Sequence, residues 1–374
     1  MTHSQFPAIL IAALTFGCGS QPAPIVLGHV TTLTGPDREL GEQEANGVRL
    51  ALDELADATK DDKTARPFVV RHADHRGDPE ACEGQAVRLT AVNHAVALIG
   101  GPDPEMAPRL AEGGAPVFAA VDRLTPRMRE RVIATGLHPG SKAKALSAYL
   151  RTLEGWQRFV LVVESDNEEA VAAETLFVQA WKAANGLPAT RRFSQPINVD
   201  SLDALGKQFV DRQAMVFLGS LAGLKNLAKH PKFVDSPIAY LGQEIDKAMI
   251  EERKAPIYFT TSYSVVDGKS PTALEFAKKF EAKFKIAPDA RAALAYETTR
   301  FAIDAMKEAL KHASATPRKF REAIVERKEF SGLFGKYAIT DAGLVRPAFV
   351  GRLRDGVVGE VRRYEAPVEE KPAP

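Results

Sequence analysis

The chain has few of the features that mark several common kinds of protein. Its 2 cysteines, Cys18 and Cys82, exclude a disulfide framework. Cys82 falls in the Ala/Val/Leu-patterned stretch Pro79 to Val92, where a small buried thiol is expected. No neighbour in the sequence would activate it for catalysis. The formal net charge is only +1, from 49 basic and 48 acidic residues, and aromatics make up 7%. There is thus no broad basic field to recommend nucleic acid as a partner. The one membrane-like run, Phe6 to Phe16, is too short to span a bilayer. The usual nucleotide and nucleophile motifs are also missing. Ile25 to Gly35 has no G-x-G-x-x-G, no P-loop occurs, and Gly219-Ser220-Leu221-Ala222-Gly223 is not a nucleophile elbow. No dyad or triad can be assembled, so neither an enzyme nor a cofactor is expected.

What is present is enough apolar residue, 45% of 374, to bury a large core, and a length that fits two domains. Phe6 to Phe16 has the length of a signal-peptide apolar region, so residues 1–17 are expected to be an export signal. Gly17-Cys18-Gly19-Ser20 then resembles a lipobox, which would make Cys18 a lipidated residue followed by a tether to residue 24. From Ile25 the chain spells strand, turn and amphipathic helix. Ile25 to Val30 suits a buried parallel strand, and Gly35-Pro36 breaks it. Val48, Leu52 and Leu55 recur at helical spacing. Strands and helices continue to alternate, as parallel crossovers require. Strands are expected at Phe68 to Ala73, Ala95 to Ile99, Val117 to Ala120, Phe159 to Val163 and near Met215 and Ile238. Helices are expected to start near Asn46, Pro79, Glu105, Ser141 and Glu168. Asp355-Gly356 marks a hairpin turn between Phe349 to Leu353 and Val357 to Tyr364.

Leu33-Thr34-Gly35-Pro36, Gly41, Asn46-Gly47 and Ala51 stand in the order and spacing that open the type I periplasmic solute-binding proteins of the leucine/isoleucine/valine-binding kind. Arg76-Gly77-Asp78-Pro79, Leu98-Ile99-Gly100, Tyr258-Phe259-Thr260-Thr261 and Ala292-Ala293-Leu294-Ala295-Tyr296 extend the resemblance to most of the mature chain. It implies two Rossmann-like α/β lobes joined by a three-strand hinge. Residues 25–138 plus 266–332 would form lobe 1 and 139–265 plus 333–365 lobe 2, with crossings near Leu137 to Ser141, Thr260 to Val266 and Leu333 to Thr340. A disordered tail would follow at 366–374. The resemblance also implies a small polar solute as ligand, an ABC permease as partner and a lipid anchor on the membrane.

Ligand in such sheets sits beyond the carboxyl ends of the strands. Laid residue by residue on the family's amino-acid site, the first-lobe aromatic falls at Leu40, the serine near Pro104 and the threonine near Arg123. The second-lobe aromatics fall at Leu221 and Arg291. Only Glu244 matches the ammonium-binding acid. Arg123 and Arg291 instead suggest an acidic solute, since a planar guanidinium suits a carboxylate. The alternative is that they pair with Asp122 and Asp289. Asp103, Asp166 and Asn167 also fall on cleft-facing loops, where such residues often cap helices. His72, Asp74, His75 and Asp78 offer two imidazoles, but their spacing matches no defined zinc motif, and a solvated loop is the expectation. The competing reading of the whole is an interaction or regulatory lipoprotein that keeps the fold without a transported ligand.

Overall fold

A computed structural model describes residues 23–62, 65–125, 128–210, 212–242, 244–245, 253–265, 270–309, 322, 324–340 and 343–365. The expected export signal, Cys18 and the tail from Ala366 lie outside the described residues.

The first sheet begins with β1 (Ile25–Thr31), β2 (Phe68–Asp74), β3 (Ala97–Gly100), β4 (Val117–Ala119) and β5 (Val132–Ala134). Between them run α1 (Arg38–Thr59), α2 (Pro79–Ala91) and α3 (Met106–Ala111). These five strands are mutually parallel, and all but the edge strand β2 are almost wholly apolar, as strands covered on both faces must be. Helix α1 starts eight residues before Asn46. Its first turns carry polar residues such as Arg38 and Glu42, which form an i,i+4 pair and give no apolar periodicity.

The second sheet is built from β6 (Val160–Glu164), β7 (Arg191–Gln195), β8 (Met215–Leu218), β9 (Ile238–Leu241) and β10 (Ile257–Thr261). Helices α4 (Pro139–Thr152), α5 (Glu168–Ala183), α6 (Val199–Gln208) and α7 (Leu221–Lys229) accompany them. The chain then returns to the first lobe through α8 (Pro271–Phe284) and α9 (Ala290–Ala309). Packing of α1 along α9 requires Gly47, because a Cβ there would stand 2.2 Å from the Ala292 carbonyl oxygen. Gly41 likewise lies where a Cβ would meet the Thr32 carbonyl oxygen. Both glycines of the opening motif are therefore close-approach positions.

The end of the chain departs from the sequence expectation. β11 (Glu329–Gly332), β12 (Gly335–Thr340) and β13 (Gly343–Val345) extend the first sheet, whose order is β11-β12-β13-β5-β4-β3-β1-β2. Residues 333–345 thus pair with the first lobe, although the sequence assigns everything from 333 to the second. The physical reason is alternation along β12. Tyr337 and Ile339 are buried in the same cluster as Phe301 and Phe330. The third crossing is therefore Arg346-Pro347, after which β14 (Ala348–Arg354) and β15 (Val357–Tyr364) close the order β15-β14-β10-β9-β8-β6-β7. Asp355 and Gly356, with φ of 50° and 70°, make the turn between them.

The result is two mixed sheets with interleaved helices, joined by three crossings: after β5, after β10 and at Arg346-Pro347. Among the described residues no helix is long and apolar enough to cross a membrane.

Candidate functional site

Loops at the carboxyl ends of both sheets face one another and enclose three cavities. The outer one, about 330 Å³, lies between first-lobe Thr32, Leu40, Asp103 and Arg291 and second-lobe Leu221 and Lys225. The inner one, about 310 Å³, is bounded by Asp122 and Arg123 of the first lobe and by α4, α5 and the loops after β8 and β9 of the second. A neck of about 20 Å³ lies between them, lined by Pro104, Asp122, Glu169, Glu244 and Leu294. The three share walls. Pro102 borders both the outer cavity and the neck, while Asp122 and Glu169 border both the neck and the inner cavity.

Most residues expected from sequence line this run. Leu40, Asp103, Leu221 and Arg291 face the outer cavity, Pro104 and Glu244 the neck, and Arg123 and Asn167 the inner cavity, with Asp122 at the junction. Asp166 is exposed in the loop after β6 and lines none of the three. The two arginines do not converge, because Arg123 and Arg291 border different cavities. Nor is Arg291 paired as the sequence suggested. Its Nη1 lies 3.1 Å from buried Glu44 Oε1, and Thr31 Oγ1 donates to Glu44 Oε2 at 2.7 Å. Asp289 instead caps α9, accepting from the Ala292 N–H at 2.8 Å. Asp122 ignores Arg123. Its Oδ1 accepts from the Leu137 N–H at 3.0 Å, and its Oδ2 pairs with Lys142.

Local folding places these groups. Asn167 caps α5, its Oδ1 accepting from the Ala170 N–H at 3.0 Å, and Asp103 accepts from the Glu105 N–H at 2.9 Å. Buried Glu164, at the end of β6, accepts from the Ser220 hydroxyl at 3.0 Å and from the Ser220 N–H, fixing the loop after β8. Glu244 Oε1 accepts from the Ser262 N–H at 2.7 Å, tying the cleft to the second crossing, while its buried Oε2 has no hydrogen-bond partner among the described residues. Glu169 carries a raised pKa, first from the desolvating cleft walls and next from Asp122. Burial alone would depress the Lys142 ammonium, but Asp122 and then Glu244 outweigh it and raise its pKa.

Lys142, Glu169, Glu44, Ser220 and Lys225 were not expected from sequence. Lys142 and Glu44 sit on helices whose contacts with other loops no local pattern reports. For Glu169 and Ser220 the signal was available, because both stand just beyond strand ends.

The His72 to Asp78 stretch serves the scaffold. Asp74 accepts from the N–H groups of Leu33 and Arg76, each at 2.9 Å, and from the Thr34 hydroxyl at 2.5 Å, pinning the loop after β1. Asp78 caps α2. His72 pairs with His29 across the sheet, and His75 is buried rather than solvated. Among the described residues no group of three His, Cys, Asp or Glu is placed to hold a metal ion. Cys82 is buried in α2, and burial pushes its thiol up to about 12, away from the thiolate that chemistry needs.

The periplasmic binding protein profile matches residues 24–357. The chain belongs to that family. Its members are binding proteins that work outside the cytoplasm. Solved structures with the same fold include the branched-chain amino acid transporter substrate binding protein LivJ from Streptococcus pneumoniae in complex with isoleucine. The two chains are 17% identical with a TM-score of 0.74, and 91% of this chain and 99% of that one are covered. A solute binding protein from R. palustris in complex with benzoate matches at 17% identity and TM-score 0.69, covering 93% and 98%. A leucine binding protein LivK from Thermotoga maritima matches at 16% identity and TM-score 0.68, covering 90% and 98%. No curated protein matches the sequence. Identities this low establish the type I periplasmic binding protein fold and leave the ligand to the residues of the cleft.

Proposed function

We propose that this periplasmic binding protein closes its two lobes on a small polar solute, an amino acid, amide or carboxylate-like molecule, and presents it to an ABC-type permease. The observation that carries the reading is the run of cavities sharing walls between the strand ends of the two sheets, where charged side chains of both lobes meet. A ligand touching both lobes binds the closed form better than the open one and so shifts the hinge equilibrium. The isoleucine and benzoate named for two structural neighbours are both small carboxylates, and cavities of about 310 and 330 Å³ suit molecules of that class.

The decisive measurement is a thermal-shift screen of the mature protein against amino acids, dicarboxylates, amides, aromatic acids and sugars. Anything that binds only the native state raises the melting temperature, by an amount that grows with ligand concentration. At least one class is expected to do so. No shift with any of them would favour the interaction-lipoprotein reading. The same reading includes a lipid anchor at Cys18, because multiple acyl chains hold a protein at a membrane durably. A Cys18→Ser variant is expected in the soluble fraction, and its retention on membranes would remove the anchor.

A further inference from the structure

Lys142 stands in the first turn of α4 and is 4% exposed, yet it reaches from the second lobe to Asp122 of the first. Its Nζ pairs with the Asp122 carboxylate and donates to the Gly242 carbonyl at 2.6 Å. An ammonium has three donors. Among the described residues two are matched, and the side chain lines the inner cavity. Desolvation would favour loss of its proton, but the neighbouring acids reverse this, so it stays a cation.

The surroundings explain what that cation does. Asp122, Glu169 and Glu244 all face the neck, and without a counter-ion they would form a trap for an ammonium. Lys142, paired with Asp122, supplies part of that charge from within the chain, and both Lys142 and Arg123 act on Glu169. An amino group brought to the junction of the neck and the inner cavity would meet an Asp122 carboxylate already paired with the Lys142 ammonium. Beyond Lys142 the inner cavity is walled by Ala170, Ala173 and Leu176, which suit an apolar body.

We propose that Lys142 is a specificity-determining residue: it takes the electrostatic place of a ligand's ammonium and offers its remaining donor to a ligand acceptor. The cleft then selects solutes with a carboxylate or carbonyl and no amino group at that end. This deepens the solute-binding reading above and rests on it.

The test uses probe pairs that share a carbon skeleton, 4-methylpentanoate with leucine and 3-phenylpropanoate with phenylalanine, titrated calorimetrically into the mature protein. The wild type is expected to bind the amine-free acid of a pair about tenfold more tightly, since one like charge removed from a partly screened site is worth about that much. Lys142→Met should lose the preference and gain about tenfold for the amino acids, while Lys142→Arg keeps the wild-type order. Asp122→Asn leaves the ammonium uncompensated and should tighten the amine-free acids several-fold, and this variant decides the matter if Lys142→Met does not fold by circular dichroism. An unchanged ratio in Lys142→Met, a wild type that prefers amino acids, or weaker acid binding in Asp122→Asn overturns the assignment. If the wild type binds no probe, the solute-binding reading fails for these classes. Lys142 then keeps its role only if Lys142→Met gains binding of leucine or phenylalanine.

Discussion

His29 and His72 are opposed in the register of β1 and β2, with their Nδ1 atoms 2.8 Å apart. One ring must donate and the other accept, so the pair holds together only while at least one imidazole is neutral. Burial is the largest influence on both and lowers both pKa values. The charge of His72 adds to it at His29, and Arg49 adds to it at both rings. His72 falls from 6.5 to about 4. The unfolded chain therefore binds more protons than the native one between those values, and stability rises with pH across that window. The contribution is fully present above about 6.5 and is lost as pH falls toward 4, amounting to about 3 kcal/mol at most for a shift of that size. Urea midpoints measured at pH 7, 6 and 5 should fall steadily in the wild type and more shallowly in His72→Asn, which keeps a short polar side chain that does not titrate. Parallel slopes in the two proteins would show that the pair is not the source.

At the level of elements, what could be read from the sequence follows the range of the forces that make each one. Strands rich in β-branched and apolar residues announce themselves by composition, so β1, β2, β4 and β6 fall within a residue or two of where the sequence places them. Several elements escape. β5 is only Val132–Ala134, too short to show a period, β7 is the exposed edge strand Arg191–Gln195, and α6 follows it on the surface. The placement of β12 was misjudged because its alternation says that one face is buried without saying against which sheet. The same limit applies to the cleft. Strand-end loops can be counted off the sequence, and this picks out Leu40, Asp122 and Glu244, which line the cavities. Partners cannot be counted in this way. Arg291 meets Glu44 and Asp122 meets Lys142 through tertiary approach, and the opening motif's Gly41 and Gly47 are close-approach positions that hold α1 against its neighbours.

For the whole molecule, the hinge has to keep two separately built cores in one cooperative unit. The third crossing contributes most directly. Arg346, buried between β13 and β14, lies 3.1 Å from Glu297 of α9 and packs over the Tyr337 ring at 5.1 Å. Glu297 Oε1 also accepts from the Tyr337 hydroxyl at 2.8 Å and from the Leu333 N–H. Both charges are 1% exposed. Removing one strands the other in a low-dielectric interior, a loss of about 3–5 kcal/mol. That loss should fall on the first lobe, which contains Glu297, Tyr337 and the end of its sheet. Both tryptophans of the chain, Trp156 and Trp181, belong to the second lobe and pack on Tyr258 and Phe159. Tryptophan fluorescence therefore reports the second lobe alone, whereas far-ultraviolet circular dichroism reports helices of both. In Arg346→Met the two signals should separate during urea unfolding, with ellipticity falling first and fluorescence near its wild-type midpoint, while in the wild type they coincide. Coincident transitions displaced together in the variant would mean that the crossing stabilises both lobes equally, and an undisplaced pair would mean that the buried ions are compensated in some other way.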